Sequence, residues 1–291
     1  MMKLKIAGYI LFFAGTLVFA LYYRFPGDLA GEVINRELSR VDRRGSLDFQ
    51  ALSPALPFGA AAENIILNWQ GSPVVALGDS RISLNLASLT RAEREVLFEL
   101  HPFGGRVSGH AVVGSDDSKS LRLNAVFESL KPAGVNLGPD LSGCRLSGML
   151  NGSAEARIDK GHMAELNGEF NWGRLALDFP EPLFGIRQFS FSKGQIAFQS
   201  QGENEIQIKN CNFKGPRMDV EVSGTLRPGR SIGKTGLHLN TAFVLYPLFF
   251  MDAGNASPRQ VRRGQTDNVV LHLKIRGTLE NPAITMDKGG G

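Results

Sequence analysis

Downstream of its amino-terminal segment, the chain alternates between apolar and polar residues with a period of two. The intervening positions are mostly Ser, Asn, Lys, Arg, His, Glu and Gln. Because successive side chains of a strand point to opposite faces, each alternating segment predicts a strand with one apolar and one solvated face. We therefore expect a mainly β protein, in which residues from about 45 onward form a twisted antiparallel sheet with very little helix. The clearest segments are Ile65-Leu67-Trp69, Ile82-Leu84-Leu86, Val96-Phe98-Leu100, Leu121-Leu123-Phe127, Leu175-Leu177-Phe179, Phe189-Phe191, Ile196-Phe198, Ile206-Ile208, Leu237-Leu239 and Val269-Leu271-Leu273.

A short pattern, apolar-x-Gly-x-apolar-x-x-(Gly or Pro), recurs along these strands. The central glycine lets a strand bend, and the closing glycine or proline is expected to end the strand at a turn. The spacing between copies is irregular, so the pattern predicts a repeated strand unit and not a uniform solenoid. The copies are Val107-Gly109-Ala111-Gly114, Leu166-Gly168-Phe170-Gly173, Val222-Gly224-Leu226-Gly229, Ile275-Gly277-Leu279-Pro282 and, one residue shorter, Leu146-Gly148-Leu150-Gly152.

Two segments interrupt the alternation. Residues Thr90 to Glu95 are expected to form one or two helical turns with Thr90 as the cap. Tyr246 to Gly264 begins with an apolar run and is expected to form a helix or flap that packs against the end of the sheet.

The amino end carries an apolar segment of membrane-spanning length. Ile6 to Tyr23 contains no charged residue, and Tyr22, Tyr23 and Arg24 follow at the expected interface. We interpret residues 1–24 as a short tail and a single transmembrane helix. The alternative is a cleaved signal peptide, since Val18-Phe19-Ala20 resembles a cleavage site. Basic residues lie on both sides, so the charge count leaves the orientation open.

Residues 25–44 form a predicted amphipathic segment beside the membrane, because apolar residues recur there at three- to five-residue steps. A basic cluster in this segment could contact anionic lipid headgroups, although a solvated face is the simpler explanation. The β domain is then expected over residues 45–288, and residues 289–291 form a glycine tail. The cluster consists of Arg36, Arg40, Arg43 and Arg44.

The sequence offers no chemistry that is typical of an enzyme. It has no nucleophile elbow, phosphate-binding loop, zinc motif or dinucleotide fingerprint, and its five histidines lie far apart. We therefore expect no catalytic residue, no metal and no cofactor. The net charge of +4 comes without a basic run interleaved with aromatics, so nucleic acid is not an expected partner. Cys144 and Cys211 begin similar Cys-x-apolar-x-Gly strings; either a disulfide or two buried thiols would be consistent with this.

Phenylalanine is the dominant aromatic residue, with 19 Phe against 2 Trp and 4 Tyr. Phe side chains have no hydrogen-bonding group, so the apolar face of the sheet should be strongly hydrophobic. Six residues on consecutive alternating segments could line either a closed core or an apolar groove that holds lipid. They are Phe189, Phe191, Ile196, Phe198, Ile206 and Ile208.

The order of these features resembles a known family. A basic tail, a membrane helix ending in Tyr22-Tyr23-Arg24-Phe25-Pro26-Gly27, an amphipathic stretch and β repeats such as Phe103-Gly104-Gly105-Arg106-Val107-Ser108-Gly109 follow one another, and the chain closes on Ile275-Arg276-Gly277-Thr278-Leu279-Glu280-Asn281-Pro282. This arrangement is similar to the type II secretion system protein N (GspN) family in its deltaproteobacterial form. It is more distantly similar to AsmA-like bridge proteins, whose sheet forms an open groove or half-barrel.

The resemblance implies a single-pass inner-membrane protein with most of its chain in the periplasm. One interpretation is an accessory, non-enzymatic component of a type II protein secretion system that contacts other components through sheet edges or loops. The alternative is an AsmA-like protein that binds or transfers lipid between the two membranes. The first closes its apolar face over a core, whereas the second leaves an accessible trough.

Overall fold

The structure of the protein is a computed structural model in which two compact units, residues 1–102 and 103–291, have their own sets of contacts. It describes residues 27, 31–32, 34–36 and 45–286, except for 56–58, 70–71, 89, 92, 115–119, 133–134, 137–144, 160–161, 184, 201–204, 230–233 and 253–267.

The described part of the amino-terminal unit contains five antiparallel strands. The long central strand β3 pairs with β4 on one side and with the two short strands β1 and β2 on the other, and β4 also pairs with β5. A single 3-10 turn, Leu86–Ser88, follows β4. The strands are β1 (Gly45–Asp48), β2 (Ala51–Ala55), β3 (Gly59–Trp69), β4 (Ser72–Leu84) and β5 (Arg94–Leu100).

The carboxy-terminal unit is an antiparallel meander. Each strand pairs with the next in sequence, except that the two-residue β8 lies against β9 beyond the end of β7. One α-helix follows β14, and a 3-10 turn spans Pro102–Gly104. The elements are β6 (Arg106–Val113), β7 (Ser120–Leu130), β8 (Val135–Asn136), β9 (Arg145–Asp159), β10 (His162–Leu183), β11 (Ile186–Ser200), β12 (Ile206–Lys214), β13 (Met218–Arg227), β14 (Gly236–Leu245), α1 (Pro247–Asp252), β15 (Val269–Thr278) and β16 (Pro282–Met286).

The predicted mainly β, antiparallel architecture is confirmed. Within the described residues, the strands of each unit follow one another in a hydrogen-bonded order that does not close on itself. The sheet is therefore open in each unit, and an open sheet leaves one apolar face to be covered by something else.

The prediction of helical turns at Thr90 to Glu95 is wrong. The 3-10 turn ends at Ser88, and the strand β5 already begins at Arg94. Side chains organise this corner: the Ser88 hydroxyl donates to the Asn85 carbonyl at 2.6 Å and accepts from the Glu95 amide at 3.0 Å. These hydrogen bonds tie the corner to β5. The chain therefore turns at Leu86–Ser88, before the segment from Thr90 whose composition suggests a helix.

The closing residues of the repeated pattern end a strand at only some copies. Gly114 and Gly229 follow β6 and β13, as predicted, and Pro282 opens β16 after a turn. Gly152 and Gly173, in contrast, lie inside the long strands β9 and β10. The expected turn is wrong at these two copies, because both neighbouring strands continue the hydrogen-bonded ladder past them.

Three non-glycine residues with positive φ mark breaks in the strand register. Asn64 (φ 48), Ser129 (φ 52) and Arg174 (φ 50) lie in β3, β7 and β10, each where the pairing with a neighbour shifts. An extra residue in the left-handed conformation is characteristic of a β-bulge. Each bulge changes which of the following residues face the apolar side.

The predicted membrane span, Ile6 to Tyr23, lies outside the described residues. Among the residues that are described, none belongs to a helix long and apolar enough to cross a membrane. Within the predicted amphipathic segment, residues 31–32 and 34–36 are helical. Asn35 fixes this helix to the sheet, since its side chain accepts from the Leu47 amide at 2.7 Å and donates to the Leu47 carbonyl at 2.8 Å. The helical segment thus covers the backbone of the short edge strand β1.

Candidate functional site: the apolar face of the carboxy-terminal unit

The six residues predicted to line a groove lie on two neighbouring strands. Four of them are on the single strand β11, and Ile206 and Ile208 follow on β12. Cross-strand pairing places Phe198 opposite Ile208 and Ser200 opposite Ile206. The set divides by burial: Phe189 and Phe191 are 6% and 5% exposed, whereas the other four are half-buried.

The two buried phenylalanines belong to a closed cluster at one end of the sheet. Helix α1 covers this end, with the Phe249 ring stacked on Phe189 at a centroid distance of 6.4 Å. Phe179 meets Phe189 edge-on at 5.9 Å. The prediction of a helix or flap over Tyr246 to Gly264 is confirmed for Pro247–Asp252, which packs against the sheet, and residues 253–264 lie outside the described residues. The buried members are Leu175, Ile186, Phe189, Phe191, Leu245 and Phe249.

Hydrogen bonds at its first turn hold α1 in place. The Tyr246 amide donates to the Arg217 carbonyl at 2.9 Å, and the Tyr246 hydroxyl donates to Asp219 at 2.8 Å. This hydrogen bond to a carboxylate raises the pKa of Tyr246 above its usual value. The cover over the closed cluster is therefore anchored to β13.

Away from α1 the same face carries a half-buried aromatic row that the sequence reasoning missed. Phe127, Phe170 and Phe198 stand on β7, β10 and β11, with ring centroids separated by 5.2 and 6.1 Å. Gly152 lies between the first two, opposite both Phe127 and Phe170. A Cβ atom at Gly152 would lie 2.6 Å from Cδ1 of Phe170, so the glycine provides the space for that ring.

A row of very small side chains runs beside the aromatic row. Gly109, Ala125, Ala154 and Gly168 pair in succession across β6, β7, β9 and β10, and Phe198 of β11 ends the row. At about 4.8 Å per strand spacing, this shallow channel extends for roughly 14 Å from β6 to β10. The signal in the sequence was the central glycine of two repeats, Gly109 and Gly168; at Gly168 a Cβ atom would lie 2.5 Å from Cζ of Phe198.

We use the term apolar face for the side of the carboxy-terminal unit that carries the aromatic row and this channel. It continues across the last strands, where rows of Val, Leu and Ile pair from β13 to β16. Several of its large side chains are exposed, including Leu123 (37%), Ile284 (60%) and Met286 (69%). An isolated exposed apolar residue is ordinary, whereas a contiguous exposed face marks an interaction surface.

The opposite face is polar. Gln195 donates to Glu169 at 3.0 Å and accepts from Asn210 at 3.5 Å, so an amide chain crosses β10, β11 and β12. Arg157 contacts Asp159 at 3.0 Å and Glu165 at 3.3 Å in a cleft of about 460 Å³ between β7, β9 and β10. These exposed ion pairs satisfy one another, as is typical of a solvated face.

Candidate catalytic and metal-binding groups do not come together in the described part of the chain. It contains no group of three or more His, Cys, Asp or Glu side chains arranged to hold a metal ion. Cys211 is a buried free thiol, and its burial raises its pKa to about 11. A thiol of this kind is a poor nucleophile at neutral pH.

The predicted headgroup cluster is described only at Arg36, which is exposed on the helical segment. Arg40, Arg43 and Arg44 lie outside the described residues.

No family model, curated protein or solved structure matches the chain in comparisons with known proteins.

Proposed function

We propose that the protein is a membrane-anchored, non-enzymatic lipid-binding protein of the bacterial envelope, in which acyl chains lie along the apolar face. The observation that carries this proposal is that the apolar face is closed at one end and open over the rest of its length. One end is closed by α1, while the aromatic row and, apart from the buried Ala125, the channel remain half-exposed in an open sheet. A closed core would bury these rings as fully as Phe189 and Phe191.

The energetics favour an apolar occupant. Each methylene group transferred from water to an apolar surface contributes about 0.8 kcal/mol, so a chain of many methylenes in the channel would be held firmly. The floor of the channel has no side chain larger than a methyl group between Gly109 and Gly168. The flanking row of Phe127 and Phe170 supplies the wall.

Site-specific photocrosslinking in cells tests this proposal. Benzoylphenylalanine in place of Phe198 should crosslink to lipid, because the ring reaches into the channel. The matched control replaces Lys193, which is exposed on the same strand. Lipid adducts at position 198 alone support the proposal; equal labelling at both positions, or none at 198, rejects it.

A second proposal rests on a different observation: β16 is a fully exposed edge strand. Such an edge can accept a strand from another protein. From this edge, together with the resemblance of the sequence to the GspN family, we propose that the protein is an accessory component of a type II secretion system. It would be anchored by Ile6 to Tyr23 in the inner membrane, with the sheet in the periplasm and with other secretion components, the inner membrane and lipid as its partners.

Deletion of the chain tests the second proposal. Cells that lack it should retain folded secretion substrates in the periplasm, and the full chain should restore their export. Unchanged export in the deletion strain rejects the secretion role and leaves the lipid-binding proposal intact.

A further inference from the structure

Among the described residues, the last strand, β16, is an edge strand that no other segment covers, and its one protecting residue is Pro282 at its first position. All five of its residues are exposed, and its sequence Pro-Ala-Ile-Thr-Met is uncharged. The edge strand β1, in contrast, has its Leu47 amide and carbonyl bound by the Asn35 side chain. Proteins usually protect edge strands with charges or a covering segment, so a bare apolar edge indicates a binding site.

The hairpin geometry fixes which backbone groups of β16 point outward. Thr278 and Asn281 exchange two backbone hydrogen bonds, at 3.3 and 3.1 Å, at the turn between β15 and β16. Hydrogen-bonded and non-hydrogen-bonded pairs alternate along an antiparallel ladder. From the observed register, the next outward-facing residues are therefore Pro282, Ile284 and Met286. They present three carbonyl groups and the two amides of Ile284 and Met286.

The side chains on the apolar side of this edge would receive apolar residues of an added strand. Ile284 and Met286 are 60% and 69% exposed, and they pair with Ile275 and Leu273 of β15. In a strand added beside β16, every second side chain would lie next to Ile284 or Met286.

The polar side of the same edge is basic. The strands β14, β15 and β16 contain no Asp or Glu, and His238, His272, Lys274 and Arg276 face this side. Arg276 donates to neutral oxygens, those of Leu239 at 2.7 Å, Ile275 at 3.1 Å and Asn240 at 3.4 Å. Glu280, in the turn, is already held by Lys234 at 2.7 Å. On β16 itself the small residue Ala283 pairs with Arg276, so a carboxylate of an added strand could reach this cation.

We propose that the edge of β16 binds an extended segment of a partner protein in which apolar residues alternate with acidic ones. The segment adds one strand to the sheet: its backbone pairs with Ile284 and Met286, its apolar side chains extend the apolar face, and its acidic side chains lie on the side of Arg276. This inference deepens the second proposal and rests on it, since it gives the chemistry of the partner.

Fluorescence anisotropy with synthetic peptides tests the inference on the full chain in detergent micelles. The probes are labelled nine-residue peptides that alternate valine with glutamate or valine with lysine. The glutamate peptide should bind, and 500 mM NaCl should weaken its binding because the charges are exposed. No binding of the glutamate peptide, or equal binding of the lysine peptide, overturns the inference.

Two matched variants separate edge pairing from general adhesion. Ile284→Pro removes one outward amide without removing a ladder hydrogen bond, so the fold should persist while glutamate-peptide affinity falls at least tenfold. Ile284→Val keeps the amide and should bind normally. Arg276→Gln should weaken the glutamate peptide about two- to five-fold, the usual range for an exposed ion pair. Equal affinities of the proline and valine variants for the glutamate peptide would contradict pairing of the peptide with the edge of β16.

A second copy of the chain is the competing occupant. Light scattering of the full chain distinguishes it: dimers that Ile284→Pro dissociates, together with no peptide binding, would overturn the partner segment. The secretion phenotype of the deletion strain is independent of these results. Failure of edge binding is therefore distinguishable from failure of the secretion proposal.

Discussion

At the scale of single residues, two glycines at the same position of the repeat exclude a side chain for different reasons. A Cβ at Gly168 would lie 2.5 Å from Cζ of Phe198, the movable end of a half-buried ring. A Cβ at Gly224 would overlap the His238 carbonyl, and Gly224 has φ +133. We predict that Gly168→Ala costs about 1 kcal/mol or less, whereas Gly224→Ala costs roughly 2–4 kcal/mol, the sum of backbone strain and overpacking. Urea unfolding of the two variants measures this; similar values would contradict the strain argument.

Cys211 gives a pH dependence at the same scale. Its pKa is raised by burial from 9.0 to about 11, so ionisation of the thiol favours the unfolded chain. Its contribution to stability is fully present below about pH 9 and is lost as the pH rises through 11. We predict that Cys211→Ala reduces the fall in unfolding free energy between pH 9 and 11. Denaturant titrations at both pH values of the variant and the parent check this, and parallel curves would show that the thiol is not buried.

At the scale of elements, helix α1 is expected to stabilise the sheet through one side chain. Phe249 is 9% exposed and stacks on Phe189, whereas the neighbouring Leu248 is 42% exposed. Phe249→Ala should destabilise the protein by about 3–5 kcal/mol, the usual cost of emptying a buried phenylalanine site. Leu248→Ala is the matched control and should cost less than about 0.5 kcal/mol. Thermal melting followed by circular dichroism compares the two, and an equal effect would mean that α1 does not cover the cluster.

The sequence predicts the type of these elements better than their extent. Period-two alternation identifies the strands, but it breaks at bulges such as Arg174, so the long strand β10 looks like two segments. Arginine is not a residue that favours positive φ, and nothing local in the sequence marks the bulge. The break between Phe191 and Ile196 has a similar cause: Ser192 and Lys193 are both exposed within the single strand β11.

Only part of the candidate site could be predicted, because alternation is a local pattern along single strands. Alternation placed Phe198 and Ile208 on the apolar face, but it could not show that α1 closes the face over Phe189 and Phe191. Phe127 and Phe170 were missed because their row depends on the register across β7, β9 and β10. Cross-strand register is a long-range property that a local pattern does not contain.

At the scale of the whole molecule, the proposed membrane anchor would decide where the sheet can act. The apolar segment from Ile6 to Tyr23 should keep the intact chain in the membrane fraction after carbonate or high-salt washing, because a spanning helix binds far more strongly than surface charges. A Leu17→Arg variant should reduce retention, since a charge at the middle of the span is costly. Recovery of a soluble form that begins at Leu21 would identify the segment as a cleaved signal.

The central claim is that the apolar face away from α1 is an open lipid-binding surface and not a core. A carboxylate in a closed core costs several kcal/mol and should unfold the sheet, but on an open face it reaches water. Because Phe191 is part of the closed cluster, the informative position is the half-buried Phe198. The measurement is lipid content by mass spectrometry, with thermal melting, of Phe198→Glu and the control Lys193→Glu in the full chain. We predict a near-normal cooperative melt with loss of bound lipid for Phe198→Glu and no change for Lys193→Glu; loss of the melting transition, or unchanged lipid, in Phe198→Glu would contradict the claim.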